Sequence, residues 1–131
     1  MVWILREKEA AAVSKLDAAG RYDYCVKKVA DTTALFGLKN ENGWAIAADD
    51  RGNELFPVWP HERYAADCAT GQWKSYSPAA ISVDDWLSRW TFGLERDGRL
   101  AAIFPTAKGQ GIAVPASRFA ADLKSALAEL E

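Results

Sequence analysis

A chain of 131 residues, half of them hydrophobic, fits one domain with one core and should bury roughly two-thirds of the surface its unfolded form exposes. Sixteen basic residues against eighteen acidic ones leave a net charge of −2, far from the basic excess with which nucleic-acid binders neutralise phosphates. Nucleic acid is therefore not an expected partner. Because no apolar run approaches the ~18 residues of a membrane span, neither is a bilayer.

The start, MVWILREKEA, has too short an apolar run and no basic lead for a secretory leader, so a cytoplasmic setting is expected. Leu5 to Ala19 reads as a first helix with a thin apolar face, ended by Gly20. A second helix follows from Tyr22 to Ala30, where Tyr22, Cys25, Val26, Val29 and Ala30 keep helical spacing. Leu35 to Leu38 and Trp44 to Ala48 form a hairpin around the Asn42-Gly43 pair, which tolerates positive φ.

Within GWAIAADDRGNELFPVWP, Asp49 to Asn53 is turn material and Leu55 to Trp59 resumes an apolar run, predicting a third antiparallel strand. Pro60 suits the first turn of a short helix, HERYAADCAT, that Gly71 stops. GQWKSYSPAA reads as a loop. Ser82 and Asp85 then form a capping box ahead of Val83, Trp86, Leu87 and Trp90 on one helical face, and Gly93 predicts a break before Asp97-Gly98. Leu100 to Phe104 and Ile112 to Val114 are strands around the loop PTAKGQG. A last helix starts near Ala116 or Ser117 and carries Phe119, Leu123, Ala126, Leu127 and Leu130 on one face. The order α-α-β-β-β-α-α-β-β-α predicts an α+β fold, a single domain over 1–131 with helices packed on a mainly antiparallel sheet and the helix of residues 1–20 at the margin of the core.

Chemical motifs are sparse. His61 is the sole histidine, which excludes paired-histidine zinc sites, and no serine near it sits in a nucleophile elbow. Cys25 and Cys68 lie outside any CxxC spacing and read as reduced thiols. Asp49 to Glu54 departs from the calcium-loop spacing and reads as a solvated turn, while Asp84-Asp85 belongs to a helix start. Gly109-Gln110-Gly111 reads as a glycine turn, with an anion-binding nest at Lys108 as the lesser reading. No metal, cofactor or catalytic residue is expected.

Aromatic residues carry what functional signal there is. Six tryptophans, each able to bury ~150–250 Å², should dominate the core, and some should line a binding surface. Trp59-Pro60-His61 joins a bulky aromatic, a rigid turn and a titratable ring at a strand end, the best single locus, although the plainer reading, with Trp59 filling the core, Pro60 starting the helix and His61 on the surface or in the helix's first turn, outweighs it. Trp73 and Tyr76, in a loop with few core signals, are the aromatics expected to be exposed.

KKVADTTALFGL, then GWAIAADDRGNELFPVWPHERYAADCATGQW, then Pro78-Ala79-Ala80-Ile81 ahead of WLSRWTFGLERDGRL, and finally IFPTAKGQGIAVP together resemble the bacterial DUF2750 family, a domain of unknown function, over about residues 21 to 125. The resemblance brings no established catalytic or binding residues with it. The plan of the later half also looks like that of SseB-type secretion-associated proteins and some bacterial immunity proteins, a fold-level likeness that points towards protein binding.

Two functions follow as expectations. The first is a non-enzymatic interaction module, regulatory or inhibitory towards another protein, with Trp59, His61, Trp73, Tyr76 and Lys108 as its surface and a second copy of the chain as an alternative partner. The second is a small-molecule domain or enzyme with its pocket at Trp59-Pro60-His61, where Lys108 or Arg89 meets an anionic group.

Overall fold

Asp17 sets the first boundary that matters. In the computed structural model, which describes residues 3–109 and 111–130, its carboxylate accepts from the Gly20 N–H at 2.8 Å and caps α2 (Ala18–Thr32). The expected helix from Leu5 to Ala19 is therefore two pieces. Helix α1 (Glu7–Val13) closes early, and Gly20 lies in the first turn of α2, where its N–H is met by the cap, instead of ending a helix.

After Thr33, in the left-handed region at φ 60°, the chain enters β1 (Ala34–Asn40), which turns at positive-φ Gly43 into β2 (Gly43–Trp44). This is the expected hairpin, with Lys39 opposite Trp44. Trp44 to Ala48 is not one strand, however. It divides into β2 and β3 (Ala47–Ala48), which belong to different sheets. Across the turn at Asp49, whose carboxylate accepts from the Arg51 and Asn53 N–H groups, β4 (Glu54–Val58) pairs antiparallel with β3. Its other edge pairs parallel with β6 (Leu100–Ile103), so β4 is not simply a third antiparallel strand.

Helix α3 (Glu62–Asp67) is capped by His61, whose Nδ1 accepts from the Arg63 N–H at 3.0 Å, leaving Pro60 one step outside the helix. A 3-10 turn (Gly71–Trp73) leads to β5 (Ser77–Ser82), where a loop was expected. Pro78 explains the difference. Phe36 directs both main-chain groups to Trp59, so the Phe36–Ala80 and Leu38–Pro78 pairs are the non-hydrogen-bonded ones of the β1–β5 ladder. The missing N–H of Pro78 thus falls on the outer edge of the sheet, where a proline is tolerated and discourages edge pairing.

Ser82 caps the next helical run as its sequence predicts, its Oγ accepting from the Asp85 N–H at 3.0 Å. The run goes through α4 (Val83–Asp85), a π-helical stretch (Trp86–Trp90) and α5 (Thr91–Arg96), passing Gly93 without the expected break. The irregularity lies one turn earlier, where the Trp86 carbonyl accepts from both the N–H and the Oγ1 of Thr91. Strand β7 (Ile112–Val114) and helix α6 (Ala116–Glu129) complete the chain, with Phe119 and Leu123 buried and Leu130 exposed past the helix end.

Two sheets result, an antiparallel β2-β1-β5 and a mixed β3-β4-β6-β7, sewn together where Phe36 and Trp59 exchange reciprocal hydrogen bonds of 2.8 Å. The fold is α+β, as expected, with the parallel β4–β6 pair as its departure from a mainly antiparallel plan. Phe56, Val58, Ala101 and Ile103 face α2, α5 and α6, meeting Val29, Trp86, Leu94, Phe119 and Leu123 in the core. Each large side chain buried there contributes about 1.5–3 kcal/mol of transfer free energy.

Candidate functional site

The period of two along β4 and β6 sends alternate residues to opposite faces of the mixed sheet. Phe56, Val58, Ala101 and Ile103 point into the core, whereas Leu55, Pro57 and Ala102 point away from it, to a face that α2, α5 and α6 do not cover. Leu55 and Ala102 are nevertheless only 1% and 2% exposed. What shields them is a roof built from Trp73 of the 3-10 turn and from the segment Pro105–Gly109, and between roof and sheet lies a cleft of about 390 Å³ floored by Ala47, Leu55, Pro57 and Ala102. Small floor residues leave the space. A Leu or Phe at 47 or 102 would fill it.

Both walls are held rigidly. Trp59 is fully buried behind them, its ring meeting Trp73 edge-on at 6.5 Å and its Nε1 donating to the Pro105 carbonyl at 2.8 Å. Cys68 directs its thiol to the same carbonyl. Thr106 and Gly109 exchange main-chain bonds of 2.8 and 3.2 Å, closing the turn that carries Lys108. Upstream, Phe104 adopts a left-handed φ of 57°, a strained conformation for an aromatic residue. Its N–H bonds Val58, its carbonyl accepts from Arg21 Nε, and Gly111 sits so close beneath it that a Cβ there would come within 2.3 Å of the Ile103 oxygen. Gln110, the middle of the glycine turn, lies outside the described residues.

Trp73 and Lys108 are thus brought to one cleft, with Trp59 as the brace behind it. Trp73 and Tyr76 are half-buried against the core, not exposed as their loop setting predicted, and Tyr76 follows the 3-10 turn with its N–H on the Trp73 carbonyl. Lys108 is exposed, and its ammonium has no acidic partner among the described residues.

His61 stands elsewhere. Since Nδ1 accepts from Arg63, the proton of the neutral ring is on Nε2, which donates to the Trp3 carbonyl at 3.2 Å, and the Trp3 ring meets the imidazole edge-on at 4.8 Å. Trp59 and Pro60 are buried, so the junction expected to form a pocket is filled. Both ring nitrogens serve the local fold.

A larger cleft, about 510 Å³, opens on the other side of the Pro105–Lys108 ridge, beneath α1. Arg63 there pairs with Glu7 at 2.7 Å, and Tyr24 donates to Glu9 at 2.5 Å. With its proton so used, Tyr24 accepts from Tyr64 at 3.1 Å. Burial, reinforced by the hydrogen bond to Glu9, pushes the Tyr24 phenol up. Burial and the neighbouring Asp67 push the Cys68 thiol up as well, the reverse of what a thiolate nucleophile requires. The described residues hold no group of three or more His, Cys, Asp or Glu that could bind a metal, and no described helix is long and apolar enough to cross a membrane.

The cleft's open sheet face was invisible in the sequence, because it depends on β4 and β6 pairing across more than forty residues. No curated protein and no solved structure matches the chain, so the SseB-type likeness gains no counterpart. A family described as a protein of unknown function, DUF2750, matches residues 22–123, a span that takes in the whole of the Trp73–Lys108 cleft and leaves α1 outside. On that match, covering most of the sequence, the chain belongs to the DUF2750 family.

Proposed function

We propose that this domain is a non-enzymatic, cytoplasmic interaction module, and that the roofed outer face of the mixed sheet is where another protein docks. The observation carrying this reading is a sheet face without a helix layer, floored by apolar residues and framed by Trp73 and by Lys108, which has no acidic partner among the described residues. An aromatic wall beside an apolar floor is the setting in which one inserted side chain contributes a large share of binding energy. A lysine at the rim adds preference for an acidic neighbour. The partner segment therefore carries a large apolar side chain next to an Asp or Glu. The two free thiols, Cys25 and Cys68, accord with a reducing compartment.

A photo-crosslinking residue at exposed Ala107 tests this, compared with one at exposed Asp23 on the far helix. One stoichiometric adduct from position 107 alone, lost in Trp73→Ala and diminished at least tenfold by Lys108→Glu, is expected. An adduct of equal yield from both positions, or one untouched by both substitutions, would sink the assignment.

A further inference from the structure

A third cleft, on the opposite side of the mixed sheet from the roofed one, has chemistry of its own. It encloses about 370 Å³, within the range of small-molecule sites, and its apolar wall is three aromatic rings in mutual contact. Trp44 and Trp90 meet edge to face at 5.0 Å and 85°, Phe56 lies 4.9 Å from Trp90, and Trp44 lies 5.7 Å from Phe56. Trp90 and its neighbour Arg89 come from the π-helical stretch, a backbone irregularity that recurs at functional sites because it re-aims side chains a regular helix would place elsewhere. Trp86, one turn back and nearly parallel to Trp90, is fully buried, so the stretch divides a pair at helical spacing into one core ring and one cleft ring.

The charges at the mouth are unequal. Arg99 is held by Glu54 at 3.1 Å and Asp97 at 3.7 Å, and Asp97 also meets Arg96. Arg89 lines the same cleft, is exposed, and forms no ion pair among the described residues, since Asp97 beside it is taken by Arg96 and Arg99. Lys39 stands 5.0 Å over the Trp44 ring and adds positive potential to that side. An unpaired guanidinium beside an aromatic wall suits a flat apolar body bearing a carboxylate, since the fork pairs bidentately while a ring face takes the body.

We infer that the Trp44–Trp90–Arg89 cleft is a binding site for a small aromatic carboxylate, with Arg89 as its anion contact. This site is separate from the protein-docking face and stands whether or not that reading holds.

Calorimetric titration with naphthalene-2-carboxylate, against naphthalene-2-carboxamide as the uncharged probe, tests it. Wild-type protein should bind the carboxylate at least tenfold tighter than the amide, and Arg89→Met should erase that difference while leaving amide affinity unchanged. Lys124→Met, which removes one charge from the exposed side of α6, should leave both affinities alone. In nitrogen–proton spectra, the indole signals of Trp44 and Trp90 should shift with saturation while that of Trp59 stays in place. No carboxylate binding, equal affinity for both probes, or retention of the preference in Arg89→Met would each overturn the assignment. Because Arg89 is exposed, its variant is expected to melt with the wild type, so a loss of binding cannot be confused with a loss of fold.

Discussion

Trp59 and Trp86 are both fully buried, yet their indole nitrogens fare differently. The Trp59 N–H reaches the Pro105 carbonyl, whereas that of Trp86 finds no acceptor among the described residues. A buried donor left unpaired forfeits its hydration without return. Trp86 is retained on this account for its ring, which touches Phe56, Trp90 and Phe119. Changing either residue to Phe removes the same volume, so the difference between the two variants reports the Trp59 hydrogen bond together with the relief of the unpaired Trp86 N–H. Trp59→Phe should cost about 1–2 kcal/mol more than Trp86→Phe, read as the difference in urea unfolding free energy. Equal losses would mean that the Trp59 bond contributes nothing beyond packing.

Among the described helices of six residues or more, α1 buries the fewest side chains, Val13 alone. Partly buried Ala10 and polar contacts hold the rest, with Glu7 on Arg63, Glu9 on Tyr24 and Lys28 and, just upstream, Trp3 on His61. The Arg63 hydrogen bond, and then its charge, keep the Glu7 carboxyl below its ordinary range. A carboxyl lowered in the folded state adds to attachment above its unfolded value and loses that contribution as pH falls through the folded one. Glu7 should therefore pin α1 fully at neutral pH and release it below about pH 4.3, the ordinary Glu value. Amide-exchange protection factors of α1, taken relative to α6, should drop over that acid range, and Glu7→Gln should give the lower ratio already at neutral pH. A ratio that is flat with pH in the wild type would remove Glu7 from this role.

At the scale of the whole molecule, the two sheets share one core and are stitched at Phe36–Trp59, so neither can lose its packing alone. Leu35, Leu38 and Ile81 of the antiparallel sheet belong to the same buried cluster as Phe56, Val58 and Ile103, apart from Leu55, Pro57 and Ala102, which serve the cleft. One cooperative transition is expected. Tryptophan fluorescence and far-ultraviolet dichroism should give coincident urea curves, unmoved by dithiothreitol because Cys25 and Cys68 are both free thiols. An earlier fluorescence transition would show instead that the sheets unfold as separate units.

Local chemistry was legible wherever its partners lie within one turn of chain. The Ser82 cap, the Asp49–Asn53 turn, the hairpin at Gly43 and the apolar stripe of α6 from Phe119 to Leu127 each rest on groups a few residues apart, and all stand where the sequence puts them, Leu130 past the helix end excepted. Even locally, competition misled. Asp17 outweighed Gly20 as a helix signal, and Pro78 looked like a loop because a lone sequence does not say which edge of a strand will be free. The sequence by itself determined the α+β class, most of the helices and strands, and the family. Tertiary structure alone decided that Trp44 to Ala48 divides between two sheets, that β4 runs parallel to β6, and that Trp73 and Lys108 line one cleft while Arg89 and Trp44 line another. Those outcomes depend on pairings between distant segments, and a strand's own side chains specify which face is apolar, not which neighbour will cover it.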